Sequence, residues 1–181
     1  MKPKILFSSN LLDKAKDIRA LLLDVDGVLT DGGLYFAETG ETTKRFNTLD
    51  GHGLKLLQRA GVQPVIITGR DSAALRLRLQ ALQIQHAHFG VEDKFSAAQE
   101  SLRVLGLSWM QTAAMGDDWP DLPMLLPSAL SCAPPQAHAE VLSRVHHVTQ
   151  TPGGQGAVRE VCDLLLQASG HYDRFLNEVL A

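Results

Sequence analysis

Short apolar runs alternate along this chain with segments whose apolar positions recur every three or four residues. The runs at 20–24 (ALLLD), 63–68 (QPVIIT), 86–89, 112–116 and 129–132 read as strands, with a weaker one at 147–149. The helix-period segments predict helices over 51–60, 72–82, 94–105, 122–126, 136–145 and 157–168, and a short one near 10–16. Repeated strand–helix alternation implies an α/β fold, a doubly wound parallel sheet covered by helices on both faces. Central strands of such a sheet are apolar throughout because both faces are buried, as ALLL and VIIT are. In SAALRLRLQALQ (72–83) the leucines face inward and the arginines outward, with Asp71 as the predicted N-cap.

One segment breaks the pattern. GGLYFAETGETTKRFNT (32–48) alternates with period two around 38–41, which predicts a β-hairpin over about 31–47 with Gly40 in its turn. A two-stranded ribbon is marginal by itself, and Leu34, Tyr35 and Phe36 call for burial it cannot supply. The tail 171–181 reads as a short helix or a mobile end. With no repeat or linker, the reading is one domain over 1–181.

Composition narrows the function. A chain of 181 residues with 45% hydrophobic content can bury one sizeable core and is too apolar to be disordered. A net charge of -3 without a basic cluster argues against nucleic acid or an anionic membrane as partner. Cys132 and Cys162 lack CxxC spacing and are expected to be reduced core thiols. The N-terminal MKPKILFSSN holds too short an apolar stretch for a signal peptide, and no segment approaches the roughly 18 apolar residues of a membrane helix. A soluble cytoplasmic protein is expected.

The candidate chemistry lies where the strands end. Ligands of open α/β sheets bind beyond the carboxyl ends of the strands. There the chain places Asp24 and Asp26, then Thr68-Gly69-Arg70, then Asp93-Lys94, then Gly116-Asp117-Asp118. In extended chain Asp24 and Asp26 project to the same side, with Cα atoms roughly 6.5–7 Å apart. One carboxylate can then attack phosphorus while the other serves the leaving oxygen as general acid. An anion attacking an anion needs counter-charge, for which Mg²⁺ held by carboxylates and waters is the usual solution, with Asp117 as the second carboxylate ligand. Thr68 offers a hydroxyl to a phosphoryl oxygen and Lys94 a point charge. A calcium loop is excluded, since Val28 and Leu29 stand where a ligand and a glycine belong.

DVDGVLTDG (24–32), ITGR (67–70), EDK (92–94) and GDDWPDLPM (116–124), in that order, resemble the four motifs of haloacid dehalogenase-type phosphatases. More narrowly, DGHGLKLL (50–57) and GGQGAVREVCDLLLQASG (153–170) are similar to the phosphatases of 3-deoxy-D-manno-octulosonate (KDO) 8-phosphate, so the likeness spans about 15–170. The resemblance implies Asp24 as nucleophile and Asp26 as acid and later base. It implies Mg²⁺ bound by the Asp24 carboxylate, the Asp26 main-chain carbonyl and Asp117, with phosphate held by Thr68 and Lys94. It further implies hydrolysis of a sugar-acid phosphate in lipopolysaccharide precursor synthesis, and a homotetramer whose hairpins join and cap adjacent sites. A hairpin alone is too small for a closed cap, which agrees with either a large substrate or cover from a neighbouring subunit.

Other positions carry two readings each. Asp118 and Asp121 either orient Asp117 or Lys94, or cap the helix that Pro120 opens. Arg70 and the adjacent Gly69 either meet an anionic substrate group or form a helix-start surface. Gly51 and His52 either line the sugar pocket or belong to a loop with a helix cap. GGQG lacks the spacing of a dinucleotide fingerprint and reads as a loop, though the subgroup suggests that it and Arg159 border a neighbour's site. His86, His88, His146 and His147 lack metal-site company. Two rival functions remain: a phosphatase for a nine-carbon sialic or deaminated sialic acid 9-phosphate, and a phosphoaspartate signalling module resembling a response-regulator receiver.

Overall fold

A computed structural model describes residues 6–181, with Thr42 described by its backbone alone. Half of the N-terminal stretch read as too short for a leader therefore lies outside the described residues. In chain order the strands are β1 (Ala20–Leu23), the hairpin strands β2 (Tyr35–Ala37) and β3 (Gly40–Thr43), then β4 (Gln63–Ile67), β5 (His86–His88), β6 (Thr112–Met115), β7 (Leu130–Ala133) and β8 (His147–Val148). The helices are α1 (Ser9–Ala15), α2 (Thr48–Arg59), α3 (Ala73–Leu82), α4 (Lys94–Leu105), α5 (Leu122–Leu125), α6 (Ala139–Leu142), α7 (Ala157–Ala168) and α8 (Tyr172–Leu180).

Six strands form one parallel sheet in the order β5-β4-β1-β6-β7-β8. The chain winds outward from β1 through β4 to β5, then returns to the other side of β1 for β6, β7 and β8. That reversal leaves a crevice at the carboxyl ends of β1 and β6. Side-chain alternation sorts the core into two layers. Leu21 and Leu23 of β1 join one cluster with α2, α3 and α7, while Leu22 joins the other with α4, α5 and α6. The doubly wound sheet is thus as the alternation predicts.

Local differences have local causes. Asp24 and Thr68 lie one residue beyond their strands, at the crevice. Helix α2 starts at Thr48 because the Asn47 side chain accepts a hydrogen bond from Leu49 N at 2.8 Å, so Asp50, Gly51, His52 and Gly53 are helical and not a loop. Ser72, not Asp71, caps α3 through Leu75 N at 3.2 Å, and Asp71 pairs instead with Arg76. The predicted helix over 136–145 shrinks to the single turn of α6. The tail becomes α8, anchored by a buried Phe175 that lies beneath the Arg59 guanidinium. Both cysteines are buried free thiols.

The hairpin forms as the alternation predicts, with Ala37 paired to Gly40. Within the single chain, Leu34, Tyr35 and Phe36 stay 47%, 49% and 63% exposed.

Candidate active site

Each carboxylate of the site sits where a buried strand gives way to a loop. Asp24 N still continues the ladder, donating to Met115 O at 3.1 Å, and the residue is only 6% exposed. Gly27 then turns the chain with φ +91, and an added Cβ there would lie 2.0 Å from Asp117 Oδ2. Only glycine lets the loop after β1 approach the loop after β6 so closely. The 153–154 turn presses on the same loop from the other side. An added Cβ at Gly153 would come within 1.8 Å of Gly27 O. The Gln136 side chain bridges the two, donating to Gly27 O at 2.8 Å and accepting from Gly153 N at 3.1 Å. Within this chain, then, GGQG braces the loop that carries Asp26.

Lys94 opens α4, where the Asp93 side chain caps the helix through Ser96 N at 3.1 Å. Its buried ammonium donates to Asp24 Oδ1 and to Asp121 Oδ1, both at 2.6 Å. The other oxygen of Asp121 accepts from Asp117 N at 2.8 Å and Asp118 N at 3.1 Å. Asp121 thus orients both Lys94 and the Asp117 loop. Asp118 does not: its side chain caps Trp119 N at 2.8 Å, and its orienting role is not seen. Thr68 is buried and its hydroxyl accepts from Arg70 N at 3.3 Å.

Asp24, Asp117 and Asp121 bring one carboxylate oxygen each within 4.8 Å of one another. Because both Asp121 oxygens are already engaged, Asp24 and Asp117 are the two left to meet a cation. Burial, then the Asp121 charge, pushes Asp24 up to about 7 against the pull of Lys94. Burial, followed by the charges of Asp24, Asp121 and Asp118, pushes Asp117 up to about 8. Lys94 itself is held above its ordinary value: burial opposes its charge, and Asp24 and Asp121 together outweigh that. Two carboxylates driven toward protonation by burial and by neighbouring acids are the pair that a hard divalent cation would relieve, and an all-oxygen donor set suits Mg²⁺.

These groups line one open cleft of about 530 Å³, together with Asp26, Gly69, Arg70, Asp118 and Asp121. A larger groove of about 680 Å³ lies at the start of β4 and is lined by glutamines without a titratable group, so we assign the chemistry to the smaller cleft. Gly51 and His52 do not line the cleft in this chain, which corrects that expectation. Gly51 faces Arg78, whose Nη2 would lie 2.2 Å from an added Cβ, and His52 borders a separate cavity of about 210 Å³ with Arg159 and Tyr172. The acid of that motif serves structure: Asp50 is buried and accepts from Arg159 N at 2.8 Å at the start of α7. Burial pushes Asp50 up to about 6. Three of the four histidines noted in the sequence are similarly occupied, His88 with Ser101, His146 with Ser131 and His147 with Glu160.

Lys44 and Glu41 are site neighbours that the sequence reading missed. Lys44 pairs with Asp26 and, at 3.0 Å, with Glu41, which also accepts from Arg70 at 2.8 Å. The available signal was the hairpin's alternation, which sends the Lys44 side chain inward at 1% exposure and Arg45 outward at 56%.

The model of the haloacid dehalogenase-like hydrolase family matches residues 91–161. Over 166 residues the chain is 41% identical to the 3-deoxy-D-manno-octulosonate 8-phosphate phosphatase KdsC of Escherichia coli K12, covering 92% of this chain and 88% of that one. It is similar to the crystal structure of a 3-deoxy-D-manno-octulosonate 8-phosphate phosphatase from Moraxella catarrhalis in complex with magnesium ion, phosphate ion and KDO. There the TM-score is 0.92 at 35% identity, over 96% of this chain and 99% of that one. A probable YrbI family phosphatase from Pseudomonas syringae aligns with TM-score 0.94 at 42% identity, over 96% and 99% of the two chains.

Proposed function

Since the chain belongs to the haloacid dehalogenase-like phosphatases, among the 3-deoxy-D-manno-octulosonate 8-phosphate phosphatases, we propose that it hydrolyses that sugar phosphate to KDO and inorganic phosphate with Mg²⁺ as cofactor. The observation that carries the reading is the meeting of Asp24, Thr68, Lys94 and Asp117 on the walls of one cleft.

The chemistry assigned to each residue follows from its setting. An Asp24 carboxylate oxygen forms a bond to phosphorus as the bond from phosphorus to the sugar oxygen breaks, and Asp26 gives that oxygen its proton. Asp26 then takes a proton from water, the water oxygen bonds to phosphorus, and Asp24 is released with inorganic phosphate. Lys94 and the Thr68 hydroxyl face the phosphoryl oxygens, with Lys94 fixed by Asp121. Asp24, Asp117 and the Asp26 main-chain carbonyl would hold Mg²⁺, whose charge would offset that of the nucleophile and the phosphoryl group. Arg70 and Gly69 at the rim meet the sugar acid.

A panel of eight- and nine-carbon 2-keto acid phosphates tests the substrate. Mg²⁺-dependent phosphate release with the highest kcat/KM on KDO 8-phosphate is the expected result, and a preference for a nine-carbon 9-phosphate contradicts the assignment. Multiple turnovers also separate an enzyme from a signalling module.

The assembly belongs to the same proposal. Exposed Leu34, Tyr35 and Phe36 on a marginal two-stranded ribbon support a homotetramer built through the hairpins. Sedimentation equilibrium at micromolar concentration is expected to give the tetramer mass, and a monomer would remove this part. Among the described residues no helix is long and apolar enough to cross a membrane. The same proposal places the reaction in cytoplasmic lipopolysaccharide precursor synthesis, following the phosphatases that the chain is similar to.

A further inference from the structure

We propose that Lys44, at the foot of the hairpin, positions the Asp26 carboxylate for proton delivery to the departing sugar oxygen; this rests on the phosphatase reading above. The argument begins with burial. Lys44 is 8% exposed as a residue and 1% in its side chain, and it does not line the cleft. A lysine so enclosed must be paired, and its partners are Asp26 Oδ1 and Glu41 Oε1. An ammonium shut away from the cleft does not contact a substrate there. Its influence passes through the carboxylate it holds.

The geometry divides the two oxygens of Asp26. Oδ1 is held by Lys44, while Oδ2 faces Arg70 Nε at 3.7 Å, beyond hydrogen-bonding reach. Oδ2 is therefore the atom left to carry the proton. Glu41 completes the arrangement from β3, forming an ion pair with Lys44 at 3.0 Å and accepting from Arg70 Nη2 at 2.8 Å. The hairpin thus supplies part of the setting of a catalytic carboxylate in its own subunit, in addition to any cover it gives a neighbour. In the step concerned, the Asp26 Oδ2–H bond breaks and its proton joins the leaving oxygen as that oxygen's bond to phosphorus breaks. With Lys44 removed, the Asp26 carboxylate is free to turn toward Arg70, and this transfer loses its alignment.

The test compares kcat/KM for glycerol 3-phosphate, whose leaving alkoxide needs a proton, with that for p-nitrophenyl phosphate, whose leaving group departs without one. Neither bears the carboxylate of a sugar acid, so loss of an anion-binding contact cannot mimic the effect. Because kcat/KM ends with departure of the first product, it excludes the later hydrolysis, in which Asp26 also acts. Lys44→Met is expected to lose on the order of 10²-fold with the alkyl ester and less than about threefold with the aryl ester. Equal losses with both esters, or no loss with either, overturn the proposal. If Lys44→Met does not fold, Lys44→Arg carries the same comparison: it keeps the charge but swings it on a longer fork, and the same selective loss is expected. A wild-type protein that releases no phosphate, or an Asp24→Asn variant that retains turnover, would instead defeat the phosphatase reading, and this proposal with it.

Discussion

Asp24→Asn is expected to abolish turnover while the protein remains folded. Asparagine keeps the shape of the side chain and an oxygen that can accept from Lys94, now 2.6 Å from Asp24 Oδ1. What it loses is the proposed nucleophile. With no other carboxylate placed to take the phosphoryl group, the loss is expected to reach at least about 10⁴-fold in kcat, the scale seen when a covalent nucleophile is removed. Stability is expected to move little or upward in metal-free buffer at pH 8. Burial holds the Asp24 carboxyl near 7, so its ionised form is a cost to the folded state that the amide does not carry. Phosphate release from freshly purified variant, with contaminating phosphatase excluded by a mock purification, checks the first point, and thermal unfolding with and without Mg²⁺ checks the second. Retained turnover would contradict the assignment of the nucleophile.

Lys94→Ala carries the second large effect, and it shows first in stability. Lys94 is the cation that offsets Asp24 and Asp121, each at 2.6 Å, in a site where Asp117 is also close. Breaking a buried pair by removing one partner typically costs about 3–5 kcal/mol, because the remaining charge is left without compensation. The cost depends on pH in a definite direction. Asp24 and Asp117 have folded values raised to about 7 and about 8, above the ordinary carboxylate range. Their contribution to stability is therefore fully present below the unfolded values near 4 and is lost as pH rises through 7 and 8. Taking away the lysine removes a pull that lowers both groups, so the deficit is expected to be small at pH 5.5 and near its full size at pH 8.5. Mg²⁺ is expected to restore part of it, since an added cation relieves the same carboxylates. Turnover is expected to fall about 10²–10³-fold even when the variant is folded and saturated with Mg²⁺. Denaturant melts of the metal-free variant at the two pH values check the stability part. A deficit that shrinks as pH rises would contradict the electrostatic account.

Much of this was legible in the sequence because a few residue types have few places to go. Runs such as ALLL and VIIT are tolerated only where both sheet faces are covered, and the acids that follow them can only lie at the rim. Once β1 is central and β6 lies beside it, Asp24 and Asp117 are necessarily neighbours. The readings that failed did so where a tertiary contact outweighed a local preference. The rival reading of DGHG as a loop rested on two glycines that argue against a helix by propensity, yet they sit inside α2, as the helix expected from 51 has them. Added Cβ atoms at Gly51 and Gly53 would lie 2.2 Å from Arg78 Nη2 and 2.9 Å from Arg159 Cδ, so the helix needs those glycines to seat its neighbours. Asp71 and Ser72 are both competent caps; the hydrogen bond to Leu75 N decided between them. Asp121 could be read only as one of two options, since its three hydrogen bonds to Lys94, Asp117 and Asp118 join loops from different strands. Lys44 was hidden for a related reason: alternation can turn a hairpin lysine inward, but nothing in its spacing names the acid eighteen residues earlier as its partner.

The most direct measurement is chemical trapping of the phosphoryl group. Asp26→Asn protein is mixed with substrate and Mg²⁺, quenched in acid, digested and mapped by mass spectrometry. A hydroxylamine-labile phosphate on the peptide that carries Asp24 is the predicted result. Steady phosphate release by wild-type protein with no labelled Asp24 in either form, under conditions where the variant is folded and binds Mg²⁺, would contradict the claim that this carboxylate attacks phosphorus.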